Sequence, residues 1–116
     1  MDAWQRTKAH LKACGHLAYA PGEHVGVCKT PYIVLHEGGT VRMIESRHVG
    51  YATLNVICYV PLGRYEDMVP MAARVRADMR ALAPQVRPTG YMGPTIIEEE
   101  YKAHSKTLEY QTQKRL

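Results

Sequence analysis

The clearest pattern in the chain is an alternation of side-chain types between Tyr51 and Val60. The two alternating sets are Tyr51, Thr53, Asn55, Ile57 and Tyr59 on one side and Ala52, Leu54, Val56, Cys58 and Val60 on the other. Successive side chains of a strand point to opposite faces, and both sets are rich in β-branched or aromatic types. The pattern predicts a central strand that is covered by protein on at least one side.

A helical pattern follows the turn-like Pro61–Gly63. Apolar residues then recur at steps of three and four, at Met68, Ala72, Val75, Met79 and Leu82. Such steps place side chains on one face of a helix, so Met68–Leu82 is predicted to be amphipathic. We expect Asp67 to cap this helix, Pro70 to fit its first turn and Pro84 to end it.

The chain before these elements predicts a further helix and a loop. Residues 2–13 place apolar side chains at helical spacing, and Gly15 is expected to end this helix. Trp4 is expected to anchor the helix on the sheet. The segment 16–30 is predicted to be a loop with a short extended piece around Val25–Cys28.

A second strand is predicted before the central one. Tyr32–His36 has the composition of a short strand, and Gly38–Gly39 is expected to end it in a turn. Thr40–Ser46 is either a polar connection or another short strand. It leads into the central strand, so the two strands are expected to pair antiparallel.

The chain after the second helix has weaker signals. Prolines and glycines make the segment 84–95 a predicted irregular and exposed loop. Residues 96–101 form either a short strand or a turn. Ser105–Leu116 alternates again and is predicted to be a half-buried closing strand. Its polar outer face and its Lys114–Arg115 end make it a candidate edge strand.

Together these elements predict the α+β class. The expected architecture is a mostly antiparallel sheet of about four strands, with an N-terminal helix and one central helix packed on it. The 116 residues are expected to form a single domain, 1–116. No apolar run resembles a membrane span or a signal peptide, and three cysteines agree with a reducing compartment. We therefore expect an intracellular protein without a membrane partner.

Candidate chemistry is sparse. Cys14, His16, His24 and Cys28 supply the donor atoms that zinc prefers, although their spacing differs from the tight knuckles of structural zinc sites. Buried thiols and surface histidines are the alternative interpretation, and the sequence leaves both open. No nucleotide-binding or hydrolase motif is present. We assign no catalytic, metal or cofactor residue and expect no enzyme.

Charged residues form two groups. Arg74, Arg76 and Arg80 lie on the predicted central helix, and Glu98, Glu99 and Glu100 follow the proline- and glycine-rich segment. The arginines are either a solvated polar face or a basic patch. The glutamates are a solvated turn, a contact to a basic neighbour or a source of a metal-binding carboxylate, and the first two are favoured. The net charge of +4 permits contact with nucleic acid without requiring it.

Four segments resemble the small tail-completion proteins of long-tailed bacteriophages, which are called tail terminators or tail-to-head joining proteins. These segments are Pro31–Leu35, Ile57–Val60, Met68–Leu82 and Tyr101–Gln111. In that family a helix precedes a strand that starts with proline and tyrosine, a long strand leads into a helix with small and arginine residues, and an acidic patch follows a Pro/Gly stretch. The resemblance spans about residues 4–116.

The resemblance implies a structural virion protein of the phage neck that is assembled in the host cytoplasm. Its copies would form a ring, usually a hexamer, that terminates the tail tube and joins the tail to the head connector. DNA would pass through the lumen without sequence-specific binding. By charge complementarity, Glu98, Glu99 and Glu100 of one subunit would be expected to meet Arg74, Arg76 and Arg80 of the next.

Two alternatives remain at this level. The first is a head-completion or connector protein of the same neck. The second is a small basic nucleic-acid-binding domain, with the arginine face of the helix and Tyr51, Tyr59 and Tyr101 as stacking platforms. The second requires basic residues beside these rings, whereas Asn55 and Ile57 lie between Tyr51 and Tyr59 in the alternation.

Overall fold

The computed structural model describes residues 2–42 and 49–115, which form two helices and six strands. The helices are α1 (Ala3–Ala13) and α2 (Met68–Met79), and the strands are β1 (Ala18–Tyr19), β2 (Tyr32–Arg42), β3 (Val49–Pro61), β4 (Val86–Met92), β5 (Ile96–Glu98) and β6 (Ala103–Arg115). Short 3-10 turns cover Tyr65–Asp67, Arg80–Leu82 and Glu99–Tyr101. The predicted α+β class is confirmed.

All the strands belong to one sheet. Its order is β1-β2-β3-β6-β4, and β5 also pairs with β6. β1 runs parallel to β2, whereas the other pairings are antiparallel. The prediction of about four, mostly antiparallel strands is therefore corrected to a mixed sheet of six. β1 escapes detection in the sequence because it has only 2 residues, too few to show an alternation. β5 confirms the short-strand alternative for the start of residues 96–101, and a 3-10 turn follows it.

The predicted alternation along β3 is confirmed. Leu54, Val56, Cys58 and Val60 expose 2% or less of their surface and pack with apolar residues of both helices. The other set is half-buried and lies on the side of the sheet away from the helices. We call the first side the helix face and the second side the open face. Burial of the helix face supplies most of the hydrophobic stabilisation, because that contribution scales with the apolar area removed from water.

α1 begins where the sequence provides a cap. The Asp2 carboxylate accepts a hydrogen bond from the Gln5 backbone N–H at 2.8 Å, and the Gln5 side chain accepts one from the Asp2 N–H at 3.1 Å. Trp4 Nε1 donates to the Leu35 carbonyl of β2 at 3.0 Å. Leu11 is fully buried. These contacts confirm the N-terminal helix and the anchoring role of Trp4.

α2 buries the predicted apolar stripe against the sheet. Its buried residues are Met68, Met71, Ala72, Val75 and Met79. Asp67 precedes the helix, but its carboxylate accepts from Arg64 Nε at 2.6 Å and caps no backbone N–H of α2. The helix tightens into the 3-10 turn Arg80–Leu82 before Pro84. The predicted helix is confirmed, and the predicted side-chain cap is wrong.

β2 continues through Gly38–Gly39, so the turn predicted at these glycines is wrong. The register with β3 shifts between Glu37 and Thr40, as in a β-bulge. A Cβ at Gly38 would lie 3.0 Å from the Cβ of Thr53, so glycine lets the two strands approach. The predicted antiparallel pairing of the two strands is confirmed.

The loop predictions change at two places. Val25–Cys28 forms no strand, whereas Ala18–Tyr19 forms β1 within the predicted loop. Of the predicted connection 40–46, residues 40–42 belong to β2, and residues 43–46 lie outside the described part of the chain. Within the described residues, neither helix combines the length and the apolar character that crossing a membrane requires.

The last part of the chain is more regular than the sequence predicts. Residues 86–92 of the supposedly irregular segment form β4, which pairs with β6 and tolerates Pro88 because it lies at the sheet edge. β6 has β3 on one side and β4 and β5 on the other, so its predicted edge position is wrong. Thr107, Glu109 and Gln111, which suggested an edge, instead lie on the open face.

Candidate subunit interface

The three arginines lie on the outer side of the helix layer. Arg74 and Arg76 are exposed positions of α2, and Arg80 is exposed in the turn that follows. The apolar stripe of α2 faces the sheet, which directs these side chains outward. Within the described part of the chain, none of the three forms an ion pair. They form a basic surface without an internal partner.

The glutamates come after the arginines in the chain, at the end of β5 and in the turn that follows it. Glu98 ends β5, and Glu99 and Glu100 begin the 3-10 turn that leads to β6. Glu98 Oε1 accepts a hydrogen bond from the Ser105 hydroxyl at 3.2 Å, whereas Glu99 and Glu100 are exposed. Lys102 ends this turn in the left-handed region, at φ 52°. The acidic group is therefore held by a tight, defined turn.

The arginines and Glu98 lie on different sides of the sheet. Ser105 occupies an open-face position of β6 because it pairs with Tyr59. Its hydrogen bond places the Glu98 side chain on that face, whereas the arginines belong to the helix layer. No ion pair between these groups occurs among the described residues. Each group is available to a different molecule.

Exposed apolar side chains lie next to the acidic turn. Tyr91 and Met92 end β4, Ile96 and Ile97 begin β5, and these four residues expose between 46% and 57% of their surface. Sequence reasoning missed this group, which we call the β4–β5 rim. It predicted an irregular loop for residues 84–95 and a short strand or a turn for residues 96–101, and it did not connect the two parts. The available signal was the pair Ile96–Ile97 in an otherwise polar segment. Clustered exposed apolar residues often mark contacts with other proteins.

Aromatic rings cover one end of the open face. His24 stacks on Tyr32 with ring centroids 4.0 Å apart, and Tyr32 stacks on Tyr59 at 4.8 Å. Tyr101 meets Tyr59 edge-on at 6.4 Å, and Tyr19 contacts both His24 and Tyr32. Burial raises the pKa of the Tyr32 and Tyr59 hydroxyls, because the charged phenolate is poorly solvated there. We call this group the ring stack.

The ring stack bears on the nucleic-acid alternative. Tyr59 and Tyr101 lie on the open face, whereas the arginines belong to the helix layer on the other side of the sheet. One face of Tyr59 is occupied by Tyr32, and Tyr51 lies eight residues earlier on the same strand. The structure does not bring the predicted basic face and stacking platforms together.

The four candidate zinc ligands have separate surroundings. Cys14 Sγ lies 3.6 Å from His10 Nε2, and Cys28 Sγ donates to the Thr30 carbonyl at 3.3 Å. His16 Nε2 lies 2.6 Å from Asp78 Oδ2, and His24 belongs to the ring stack. In the described residues, no group of three or more histidine, cysteine or acidic side chains is arranged to hold a metal ion.

His16 and His10 instead connect two parts of the helix layer. His16 contacts the Asp78 carboxylate, and His10 Nε2 contacts the Asp78 carbonyl at 2.7 Å. Both contacts join α1 and the residues after it to the last turn of α2. They hold the two helices together at this end, which fixes the helix layer that carries the arginines.

Neither a scan of protein-family models nor a search of curated proteins found a match to this chain. The resemblance to tail-completion proteins therefore stays a prediction. The geometry described above provides arginines in the helix layer and Glu98 on the open face, with no ion pair between the arginines and the glutamates among the described residues. The exposed apolar residues of the β4–β5 rim come directly before Glu98 in the chain.

Proposed function

We propose that this chain is a structural subunit of the phage neck that forms a ring, terminates the tail tube and joins the tail to the head connector. The carrying observation is that the sheet separates the arginines from Glu98, and that no ion pair joins the arginines to the glutamates among the described residues. A ring is built from head-to-tail contacts, in which two different surfaces of each subunit meet. Complementary charges on two sides of one subunit suit such a contact.

The β4–β5 rim supplies the apolar part of this contact. Ile96 pairs with Ser105 and Glu98 pairs with Ala103, so both lie on the open face, and this surface carries both apolar area and negative charge. Ile97 lies on the opposite face of β5. Apolar burial contributes about 25 cal/mol per Å2, whereas an exposed ion pair contributes about 1 kcal/mol or less. In this proposal the rim supplies affinity, and the charges fix the orientation of neighbouring subunits.

Ring formation is tested by mass photometry of the purified full chain over a range of concentrations. We expect a closed oligomer of defined size. Glu99→Lys is expected to weaken assembly, because it places a cation opposite the arginines of the next subunit. Combining it with Arg76→Glu is expected to restore assembly. Glu66→Lys makes the same charge change at an exposed residue of the turn before α2 and serves as the matched control.

A monomer at every concentration would contradict the ring. Equal behaviour of Glu99→Lys and Glu66→Lys would contradict the charged contact. The location in the virion is tested by adding the purified oligomer to uncapped tail tubes and to filled heads of the same phage, followed by electron microscopy. Binding to the tube end supports the proposal, whereas binding to heads alone would overturn the tail assignment.

A further inference from the structure

The arginines of the helix layer divide into two groups. Arg76 and Arg80 are four positions apart, so they lie on the same side of α2 and of the turn that continues it. Arg74 instead lines a separate hollow at the end of α1, together with Cys14 and Met71. Only Arg76 and Arg80 are therefore placed to bind one group together.

Arg76 and Arg80 line a groove between α2 and β4. The groove consists of two adjoining hollows of about 130 and 60 Å3, and Arg76, Pro88 and Tyr110 line both of them. Pro88 pairs with Tyr110, and Tyr110 pairs with Leu54, so the register places these side chains on the helix face, where α2 packs. The helix and the strands thus contribute to this groove from the same side of the sheet. We call it the α2–β4 groove.

The hydroxyl of Tyr110 belongs to the same site as the two guanidinium groups. Burial raises the pKa of this hydroxyl, and the positive charges of Arg76 and Arg80 act in the opposite direction. Tyr110 is 4% exposed, and its hydroxyl forms no hydrogen bond with another described residue. Neither arginine forms an ion pair within the described part of the chain. The groove therefore offers two cationic donors and one neutral donor to an incoming acceptor.

The nearby carboxylates do not neutralise this site. Among the described residues that line the groove, Glu109 is the only acidic one. Its pairing with Asn55 places its side chain on the open face, where it accepts a hydrogen bond from the Thr89 hydroxyl at 2.7 Å. The Asp78 carboxylate of α2 is engaged by His16 at 2.6 Å. The positive charge of the groove is thus left for an anion from another molecule.

The size and the walls of the α2–β4 groove suit a side chain of another protein. Sites for small molecules occupy roughly 300–1,000 Å3, which is more than either hollow provides. Met79 and Val86 give the groove apolar walls, and Met92 joins it to the β4–β5 rim. The groove therefore matches a carboxylate that projects beside an apolar residue.

The acidic turn of the same chain carries such a group. Glu99 and Glu100 are exposed in the 3-10 turn, and the exposed Ile97 precedes them in the chain. The Glu98 carboxylate is less suited, because it already accepts a hydrogen bond from Ser105. Neither Glu99 nor Glu100 forms an ion pair with another described residue. A second copy of the chain can thus supply the anion that the groove lacks.

We propose that the α2–β4 groove receives a carboxylate of Glu99 or Glu100 from a second copy of the chain. Arg76 and Arg80 hold its oxygens through charge-assisted hydrogen bonds, and the Tyr110 hydroxyl donates a further one. This inference rests on the proposed ring. It goes beyond the ring by assigning the receiving surface to one groove and by adding the tyrosine hydroxyl to it.

Two one-sided variants of the full chain test this contact. Arg76→Ala with Arg80→Ala removes the charges of the groove and keeps the acidic turn, whereas Glu99→Ala with Glu100→Ala does the reverse. Circular dichroism first checks that both keep native secondary structure. In sedimentation velocity, each variant alone is expected to associate at least about tenfold more weakly than the wild type, because hydrogen bonds to charged groups are lost. An equimolar mixture is expected to form dimers that grow no further, because each partner retains one of the two surfaces.

Further substitutions in the variant that keeps the groove resolve its parts. Tyr110→Phe is expected to weaken the mixed dimer about three- to tenfold, the range for one hydrogen bond. Arg74→Ala is expected to weaken it less, since Arg74 lies outside the groove. The matched control is Lys12→Ala with Lys29→Ala, which removes two positive charges from exposed residues outside the groove and is expected to leave the dimer unchanged.

The outcomes separate the groove from the ring. Wild-type rings combined with a mixture that forms no dimer would overturn the groove alone, as would equal losses from Tyr110→Phe and the lysine control. Mixed dimers from a chain whose wild type forms no closed ring would support the groove and contradict the ring alone. Absence of association in every sample would contradict both.

Discussion

The two faces of β3 differ in what covers them. On the helix face, Leu54, Val56 and Cys58 are almost completely excluded from solvent. On the open face, Thr53 and Ile57 are half-buried, and the rings cover only the end of the strand near Tyr59. The same strand therefore has one side that is completed within the subunit and one side that is completed only in part. The fold depends on the first side, whereas the second side can still make contacts with other molecules.

The largest expected difference between the two faces is in the alkylation rates of the three cysteines. Cys58 is fully buried on the helix face, and burial raises its pKa to about 12. Because the thiolate is the reactive form and Cys58 is fully buried, both its ionisation and its access to a reagent are suppressed in the folded protein. Cys28 belongs to the loop before β2 and is buried against open-face residues, which raises the pKa of its thiol, and Cys14 is exposed. We expect alkylation to proceed in the order Cys14, Cys28, Cys58.

Mass spectrometry of iodoacetamide-treated protein over time measures this order, and urea-unfolded protein is the control in which all three thiols react at similar rates. Raising the pH is expected to accelerate modification of Cys58, because a larger fraction becomes thiolate. Modification of Cys58 as rapid as that of Cys28 in the folded protein would mean that the helix face is no better protected than the open face.

Neighbouring residues of β6 provide the second comparison. Leu108 faces the helices and is 1% exposed, whereas Thr107 is half-buried on the open face. Leu108→Ala is expected to lower the free energy of unfolding by about 2–5 kcal/mol, because it leaves a cavity in the core. Thr107→Ala is expected to change it by less than about 1 kcal/mol. Urea denaturation followed by circular dichroism measures both, and similar losses would contradict the assignment of the two faces.

The smallest expected effect concerns the ring stack. Tyr32→Leu and Tyr59→Leu are combined in a double-mutant cycle, for which we expect a coupling energy of about 0.5–1.5 kcal/mol from the stacked pair. Tyr32→Leu with Tyr65→Leu is the control, since no ring contact joins these two residues in the described part of the chain. A coupling energy near zero for the stacked pair would show that these rings stabilise the fold by burying apolar area alone, without a contribution from stacking.

The helix face was accessible to sequence reasoning because burial imposes a period. The alternation in β3 and the three- and four-residue steps in α2 predicted which side chains form the core, and the structure confirms both. An edge strand lacks that constraint, so Pro88 and Gly90 concealed β4. The polar residues of β6 were misinterpreted because a polar face was taken as a sign of an edge strand. The direction of the side chains determines the face, whereas the backbone hydrogen bonds within the sheet determine whether a strand lies at an edge.

The candidate interface was predictable only in composition. The sequence shows that arginines occupy one segment and glutamates another, but it does not show on which side of the sheet each lies. The side depends on two features that the sequence does not show. The packing of α2 on the sheet is a tertiary contact, and the Glu98–Ser105 hydrogen bond depends on the conformation of the turn between them.

The contact between Trp4 and Leu35 has a consequence for aggregation. β1 pairs with β2 at Ile33 and Val34, so the described strand pairing on this side of β2 ends before Leu35. The indole of Trp4 occupies the Leu35 carbonyl, which is the next residue along. Detachment of α1 would therefore expose apolar core and a hydrogen-bonding strand edge at the same moment, the combination from which intermolecular β-aggregates grow.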